Sequence, residues 1–586
     1  MRFVVTLRDG RAAGTETEAL IDADPDAALT TLLPQLLRAL DDDTDPALAD
    51  RVLIWVDGIP VIAEQQHTLR SAALHPGSIV ELHAHEEQPA LTPSGVAELR
   101  VVNGPGAGRV HRLGLGRTII GHEAPGLSLP DTQLAADALT VIARPGGGVQ
   151  VHPAAGTSAF IDGVELAGPS TWPIGGYLST GESVLELSAV SDPDGDVREH
   201  PSTLGLEVVR HPRSSRNRPA PHFVLPARPT PTRSGAGRDH RRQLAQWRDD
   251  RAAARTEVLE TLARETRDRR DATPDPAFTL LTAVGPGRRL WERLPLDDDW
   301  LQLRLGLAAQ PPRTVIDDLD VATPTRGNRS RWNNAAPEPL PVLLPDVPVT
   351  LNLQAVGLLG IVGQAATTHA TARWLLAQCA TFHAPRELRI AVLTAHDYAA
   401  RRRWEWVARL PHARPDEASG VTALIGNDRA SVEHRLAELG ELVTERNRER
   451  RPGSAPVPSG PEVVVVLDGV QRLSGADGVA ALMAHGPAAG VHVICLDSDQ
   501  TALPEQCRAV VTCSPGRLTF RRTESPALDG IRPDLVEAAW AERLSRALAP
   551  MRIGSGAPVD DVPAPAEEPR VWAIGWDDVG YPAPIR

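Results

Sequence analysis

The sequence predicts a multidomain chain in which small β-rich units precede a parallel α/β domain. Its 586 residues exceed what one hydrophobic core supports. Short strand-like runs punctuated by Gly, Pro and Asp fill roughly the first third. From Pro348 onward, near-continuous apolar runs alternate with helical patterns, as in a parallel sheet covered on both faces. The composition, 42% hydrophobic and 23% charged, is that of a folded protein.

Residues 1–88 open with an alternating strand from Arg2 to Leu7, a turn at Asp9-Gly10, and a second strand through Ala19 to Ile21. A helical pattern from Pro25 to Leu40 follows, then strands at Val52–Val56 and Ser78–His83, with the turn Asp57-Gly58 after the first of these. A hairpin, a helix and further short strands predict a β-grasp. Residues 96–190 carry closely spaced strands separated by turn residues and predict an all-β sandwich.

Pro, Arg and Ser dominate residues 191–237, which read as a linker. Residues 238–272 form a charged helical pattern with a narrow apolar stripe of Leu244, Trp247, Val258 and Leu262. Residues 276–345 read as another small β-rich unit. Within 348–550 the runs VGLLGIVG, LRIAVLTA, EVVVVLDGV and GVHVICLDS are the expected strands. Helices are expected at Thr371–Phe382, Asp428–Arg448 and Pro533–Leu548. This alternation is that of a RecA-like nucleotide-binding domain, and residues 551–586 form a tail expected to pack as a short strand and turn.

The net charge of −14 argues against bulk attraction to nucleic acid or anionic lipid. All 61 basic residues are arginine, because the chain contains no lysine. One interval reverses the balance: from Arg210 to Arg270 there are 16 arginines and seven acidic residues. That interval is a candidate for peripheral membrane contact. Phe223 and Trp247 are its only aromatics, too few for stacking on single-stranded nucleic acid, and a solvated face with i,i+4 ion pairs is the plainer reading.

Cys379, Cys495, Cys507 and Cys513 form no Cys-x-x-Cys pair and read as buried thiols. His83-x-His85 lacks a third clustered ligand and reads as a surface pair, so no metal is expected. With no signal-peptide core and no apolar run of about 18 residues, the chain reads as cytoplasmic.

A P-loop needs a glycine-rich turn to wrap phosphates, a lysine for the β and γ oxygens, and a Ser/Thr hydroxyl for magnesium. The run Leu358–Val362 leads into Gly363-Gln364-Ala365-Ala366-Thr367-Thr368-His369, the right place for such a loop, but the lysine and the second flanking glycine are missing. Gly360, Gly363, Thr367 and Thr368 are the candidate remnants. Asp468, ending the run from Glu462, stands where a magnesium-contacting carboxylate belongs, and Gly469 stands where a water-activating glutamate belongs. The plainer role for Asp468 is to cap the following turn.

Several stretches resemble FtsK/SpoIIIE-type ATPases of the type VII secretion (EccC-like) branch. LIWVDGIPV, TLRSAALHPGSIVEL and IDADPDAALTTLLPQLLRAL together resemble the ubiquitin-like (YukD-like) head of actinobacterial members. LRVVNGPGAGRVHRLGLGRTIIGHEAPGLSLPD and GVQVHPAAGTSAFIDGVEL resemble a forkhead-associated (FHA) domain. RLWER and WLQLRLGLA resemble the segment joining membrane stalk to ATPase array, and RVWAIGWDDVGYPAPIR resembles the words after a later ATPase module.

The resemblance implies a degenerate, membrane-proximal ATPase-like body. It also implies that a transmembrane hairpin is missing at about Thr230 to Ser234, and that a catalytic module is missing before the tail. Phosphothreonine-reading FHA domains place an arginine after Ile-Gly, then Ser-Arg-x-His, then an asparagine. Here His122, Ala135 to Ala138 and Thr157 match those positions, and Asp137 would repel phosphate. The expected function is a non-hydrolysing scaffold binding other proteins, such as secretion-machinery subunits or ATPase paralogues, with no cofactor. Two alternatives are an ATP-binding translocation component holding Mg-ATP on Thr367, Thr368 and Asp468, and an FHA phosphopeptide-binding regulator.

Overall fold

The computed structural model describes residues 2–9, 16–24, 27–40, 52–56, 59–61, 68–69, 74, 77–84, 96–146, 148–190, 194–199, 206–211, 220–229, 239–318, 343–394, 398–414, 423–449, 460–523, 525–553 and 570–574. His85 lies outside these residues, as does the segment at Thr230 to Ser234.

The chain divides into two units. The larger comprises residues 1–213, 275–305 and 350–586. It begins with a mixed sheet whose order is Arg570–Ile574, Glu16–Asp22, Arg2–Asp9, Ile79–Ala84, Val52–Val56, Ile59–Val61. Arg2–Asp9 is antiparallel to Glu16–Asp22 but parallel to Ile79–Ala84. Strand periodicity sends Val5 and Leu7, with Ala19 and Ile21, to one face. The helix Leu29–Leu40 buries Leu29, Leu32, Leu33, Leu36 and Leu37, the i, i+3, i+4 stripe its sequence dictates.

Residues 97–188 build two facing sheets. One has the order Ser170–Thr171, Val149–Pro153, Leu139–Ala143, Gly116–His122, Leu127–Leu129. The other runs Val164–Glu165, Ala159–Ile161, Tyr177–Thr180, Ser183–Ser188, Ala97–Pro105, with Val110–Leu113 also paired to Ala97–Pro105. Alternate residues Leu99, Val101, Val141, Val151, Leu185 and Leu187 fill the space between them with Trp172. The second sheet does not stop at the sandwich, because Ala97–Pro105 also pairs in parallel with Ser525–Leu535 through Asp534↔Gly104 and Leu535↔Pro105.

Beyond that join the sheet continues as Arg517–Arg522, Ala509–Ser514, Leu358–Gly363, Val491–Asp497, Glu462–Asp468, Leu388–Thr394, Ile425–Gly426. From Ala509–Ser514 onward the neighbours are parallel. The helices Ala365–Phe382 and Arg429–Glu449 pack on this sheet, and Glu462–Asp468 is buried along its whole length. Arg409 of the α/β body is ion-paired to Glu18 of the first sheet.

Several regions differ from the sequence reading: residues 276–345, read as one small β-rich unit, open with the helix Pro276–Val284 and divide between the two units, and the helix expected from Thr371 begins at Ala365. The stretch 191–237, read as a linker, contributes strands Asp196–Glu199 and Leu206–Val209 to a three-stranded sheet with Met551–Ile553, and also holds the strand His222–Leu225. The helix expected from Pro533 begins at Ala538, because Pro533 to Leu535 remain in the strand where Asp534 is buried.

The smaller unit comprises residues 214–274 and 306–349. Its helix Asp239–Ala272 buries Val258 and Leu262 against Leu225, Leu344 and Val347. Glu265 on that helix accepts from the Arg313 and Thr314 N–H groups and the Thr314 hydroxyl, at 2.7, 3.0 and 2.7 Å. Trp247 donates to the Pro226 carbonyl at 2.9 Å, with Arg228 and Arg251 over its ring.

Candidate functional site

Ligands of open parallel sheets bind beyond the C-terminal ends of the strands. Here those ends are Gly363, Thr394, Asp468 and Asp497.

Gly363 ends its strand and the helix begins at Ala365, so Gln364 alone joins them. A phosphate cradle needs several loop residues whose N–H groups point inward. Gly363 has φ +118°, and a Cβ there would run into the Cys513 carbonyl, so it serves a close approach of two strands. The Gln364 N–H is spent on the Cys513 carbonyl at 3.0 Å, and the Gln364 carbonyl accepts from the Thr368 N–H at 2.9 Å. No side chain caps the helix N-terminus, which leaves first-turn donors but no loop to wrap a triphosphate.

The hydroxyl candidates face inward. Thr367 is 5% exposed and donates to Gln364 Oε1 at 3.1 Å. Thr368 is 2% exposed, and its hydroxyl is buried with no hydrogen-bond partner among the described residues. Gly360 lies beneath Leu503, whose Cδ1 a Cβ would overlap. Burial pushes the Cys513 thiol up to about 11, against the opposing effect of Thr368 and Thr371, so it is a packed neutral group.

Asp468 is 4% exposed. It does not cap the turn after its strand. Its Oδ2 accepts from Arg403 Nη1 at 2.6 Å and Trp404 Nε1 at 2.8 Å, while Oδ1 faces His369 Nε2 at 3.5 Å. Burial alone would raise this carboxyl, but the bonds from His369 and Trp404, with the His369 and Arg403 charges, hold it down at about 2. A guanidinium and an indole thus sit where a magnesium ion would need the oxygens. Arg403 and Trp404, 65 and 64 positions before Asp468, were missed by sequence reasoning; the one signal was the run Arg401-Arg402-Arg403-Trp404 between two strands.

In the sandwich, His122 ends the strand Gly116–His122 and Thr157 lies on a loop, and backbone bonds link their surroundings. The His122 N–H donates to the Ala135 carbonyl at 3.1 Å, Ala154 to Ala138 at 2.9 Å, and Thr157 to Ala154 at 3.0 Å. His122 Nδ1 donates to the Leu129 carbonyl at 3.3 Å, which turns that donor into the sandwich. Asp131 holds the intervening loop by accepting from the Glu182 N–H and Ser183 hydroxyl, each at 2.8 Å. Arg109, bonded to the Ser128 carbonyl, is committed at its other nitrogen to Glu537.

Among the described residues, no group of three His, Cys, Asp or Glu side chains is placed to hold a metal. No described helix is long and apolar enough to cross a membrane.

No protein-family model matches the chain. It is 27% identical over 348 residues, 56% of its length, to the ESX secretion system protein EccC of Thermomonospora curvata. It is 30% identical over 191 residues to the ESX-4 secretion system protein EccC4 of Mycobacterium tuberculosis, 31% of this chain. These matches span 24% and 15% of the two relatives, so the chain corresponds to a quarter or less of their length. Among solved structures, an FHA domain from a study of phosphothreonine-dependent interactions aligns with 16% of this chain and 97% of its own, at 19% identity and TM-score 0.15. By sequence the chain is similar, over about half of its length, to EccC proteins of ESX secretion systems.

Proposed function

We propose that the chain is a non-hydrolysing interaction scaffold of an ESX-type secretion system. The observation that carries the reading is the occupied state of Asp468, whose carboxylate is taken up by Arg403, Trp404 and His369. Magnesium needs carboxylate oxygens to bridge it to phosphate. The one-residue strand-to-helix junction at Gln364 and the absence of lysine support the same conclusion. Neither ATP nor magnesium is a cofactor on this reading.

Residues 348–550 are read as a RecA-like body with degenerate motifs, supported by the parallel order that sets one strand between those ending in Gly363 and Asp468. Residues 1–88 are read as a ubiquitin-like β-grasp, supported by the parallel pairing of its first and last described long strands under one helix. The FHA-like sandwich is a phosphorylation-independent contact surface, supported by the inward bond of His122 and by Ala135 to Ala138 where cationic donors would be needed. Its partners are proteins, secretion-machinery subunits or paralogous ATPases on the cytoplasmic side. The arginine-rich interval 210–270 is read as a peripheral membrane contact, supported by the exposed Arg242 and Arg248 on the helix, while Arg210 is paired to Glu387 and Arg270 is buried.

Calorimetric titration with Mg-ATP tests the central claim. The expected result is no saturable heat and no shift in melting temperature. A saturable stabilisation that Asp468→Ala abolishes would sink it.

A further inference from the structure

A crossover between two strands of the parallel sheet brings two thiols together. Leu358–Gly363 lies between Val491–Asp497 and Ala509–Ser514 and runs parallel to both, so the chain must pass across one of its faces to connect them. A helix usually makes such a crossing. Here eleven residues, 498–508, make it with only the short turn Gln500–Ala502. Gly360 leaves them room, since a Cβ there would overlap Leu503 Cδ1. The bonds from the Ala502, Leu503 and Cys507 N–H groups to the Asp499, Gln500 and Pro504 carbonyls close local turns and do not reach the sheet.

Cys495 is the register partner of Gly360 and so projects on the face that Leu503 covers. Cys507 packs with Leu503 against the same apolar cluster, which includes Leu358, Val493 and Cys495. Both are free thiols, Cys495 fully buried and Cys507 half-buried. Each shifts the other's proton affinity. The Cys495 thiol draws Cys507 below its ordinary value against the effect of burial, while Cys507 and burial together push Cys495 up. The first thiolate therefore forms at Cys507, the more open of the two. Burial pushes the other two thiols, Cys379 and Cys513, up to about 12 and about 11. A half-open thiolate beside a buried thiol is the arrangement in which one cysteine is oxidised and a second resolves it.

We propose that Cys495 and Cys507 are a peroxide-responsive thiol pair, whose disulfide fastens residues 498–508 across the strand Leu358–Gly363. The Cys507 thiolate attacks one oxygen of hydrogen peroxide; the O–O bond breaks, and the leaving hydroxide takes up a proton to become water. The Cys495 sulfur then attacks the resulting sulfenic sulfur. An S–S bond forms, the S–O bond breaks, and a second water leaves with the Cys495 proton. Two thiols and one peroxide thus give one disulfide and two waters. The inference needs neither nucleotide nor partner and is independent of the scaffold reading.

The test treats the full chain with hydrogen peroxide, removes the excess with catalase, and alkylates in denaturant with iodoacetamide before trypsin. Cys495 and Cys507 share the tryptic peptide 473–508, while Cys379 and Cys513 fall in others and serve as internal controls. The expected result is a 473–508 peptide two hydrogens lighter that takes up no alkyl group until dithiothreitol is added, with Cys379 and Cys513 fully alkylated. In Cys495→Ala the sulfenic acid at Cys507 should persist and be trapped by dimedone. In Cys507→Ser, Cys495 should react at least about tenfold more slowly than Cys507 does in Cys495→Ala. Hydrogen exchange of residues 498–508 should fall on oxidation of the wild type. Oxidation of Cys379 or Cys513 at the same rate overturns the proposal. So does a wild-type Cys507 that accumulates dimedone adduct without the disulfide, or a disulfide that links two copies of the chain.

Discussion

Arg304 and Asp534 form a two-point ion pair with almost no solvent contact: Nε to Oδ2 is 2.8 Å, Nη2 to Oδ1 is 3.1 Å, and the side chains are 1% and 0% exposed. Arg304 Nη2 also donates to the Val102 carbonyl, and Asn103 Nδ2 donates to Asp534 Oδ1 at 2.7 Å. The Arg304 backbone is held on both sides by Gln378 of the long helix. One pair therefore ties the sandwich, the antiparallel end of the large sheet and the helix after Gly363. Burial raises the Asp534 carboxyl, and Arg304 and Asn103 act against that rise.

Removing one partner strands the other charge. Arg304→Met is expected to cost about 3–5 kcal/mol, while Arg304→Met combined with Asp534→Leu recovers most of it. Urea denaturation of the two single variants and the double variant measures the coupling. A double-variant loss equal to the sum of the two single losses would show that the charges do not interact.

Asp468 links stability to acid. Its carboxyl titrates at about 2 in the folded chain against the ordinary 3.8, so it contributes about 2 kcal/mol above the unfolded value, lost as pH falls through the folded one. Arg403→Ala should weaken this dependence and destabilise the protein at neutral pH by about 2 kcal/mol. On the scaffold reading the variant is expected to give no saturable heat with Mg-ATP by calorimetry, because the Gln364 junction is untouched.

Two buried histidines act in a higher window. Burial holds His412 down at about 4 and His383 well below its ordinary value; nearby arginines add to both effects, and backbone hydrogen bonds oppose them. His412 Nε2 donates to the His383 carbonyl at 2.7 Å, and His383 Nε2 accepts from the Leu301 N–H at 3.2 Å, so neutral rings suit both sites. A depressed histidine gives stability that is whole above about 6.5 and falls as pH drops toward the folded value. For His412 the loss is about 3 kcal/mol by pH 4. Melting curves from pH 7.5 to 4 check it, with His412→Gln expected to flatten the profile.

Glycines separate by position. Gly363→Ala is expected to cost about 2 kcal/mol or more, since its φ of +118° is strained for any side chain and the Cys513 carbonyl blocks the Cβ. Gly440, inside the helix Arg429–Glu449 with nothing near its Cβ position, should gain about 0.5–1 kcal/mol on replacement by alanine. Thermal melts of the two variants should move in opposite directions.

Much of this was legible from local pattern. The alternation at Val4 to Leu7, the Leu stripe at 29–37 and the apolar run 462–467 each mark an element by its own periodicity. The position of Asp468 at a strand end was legible for the same reason. Its partners were not, because Arg403 and Trp404 reach it through tertiary packing that no spacing rule encodes. Asp534 misled for a related reason: Pro533 and the apolar-charged run after it read as a helix start, while the deciding force was a buried partner 230 positions away. The strand at 570–574 looked like part of a tail because its ladder lies with residues 18–22.

The pairing of Ala97–Pro105 with Ser525–Leu535 has a mechanical meaning. Where two globular bodies meet through a string of chain, a tug on one is dissipated before it reaches the other. Here a load taken by the sandwich enters the α/β body as shear across a shared hydrogen-bonded ladder, pinned beside Arg304, and whatever grips one lobe steers both.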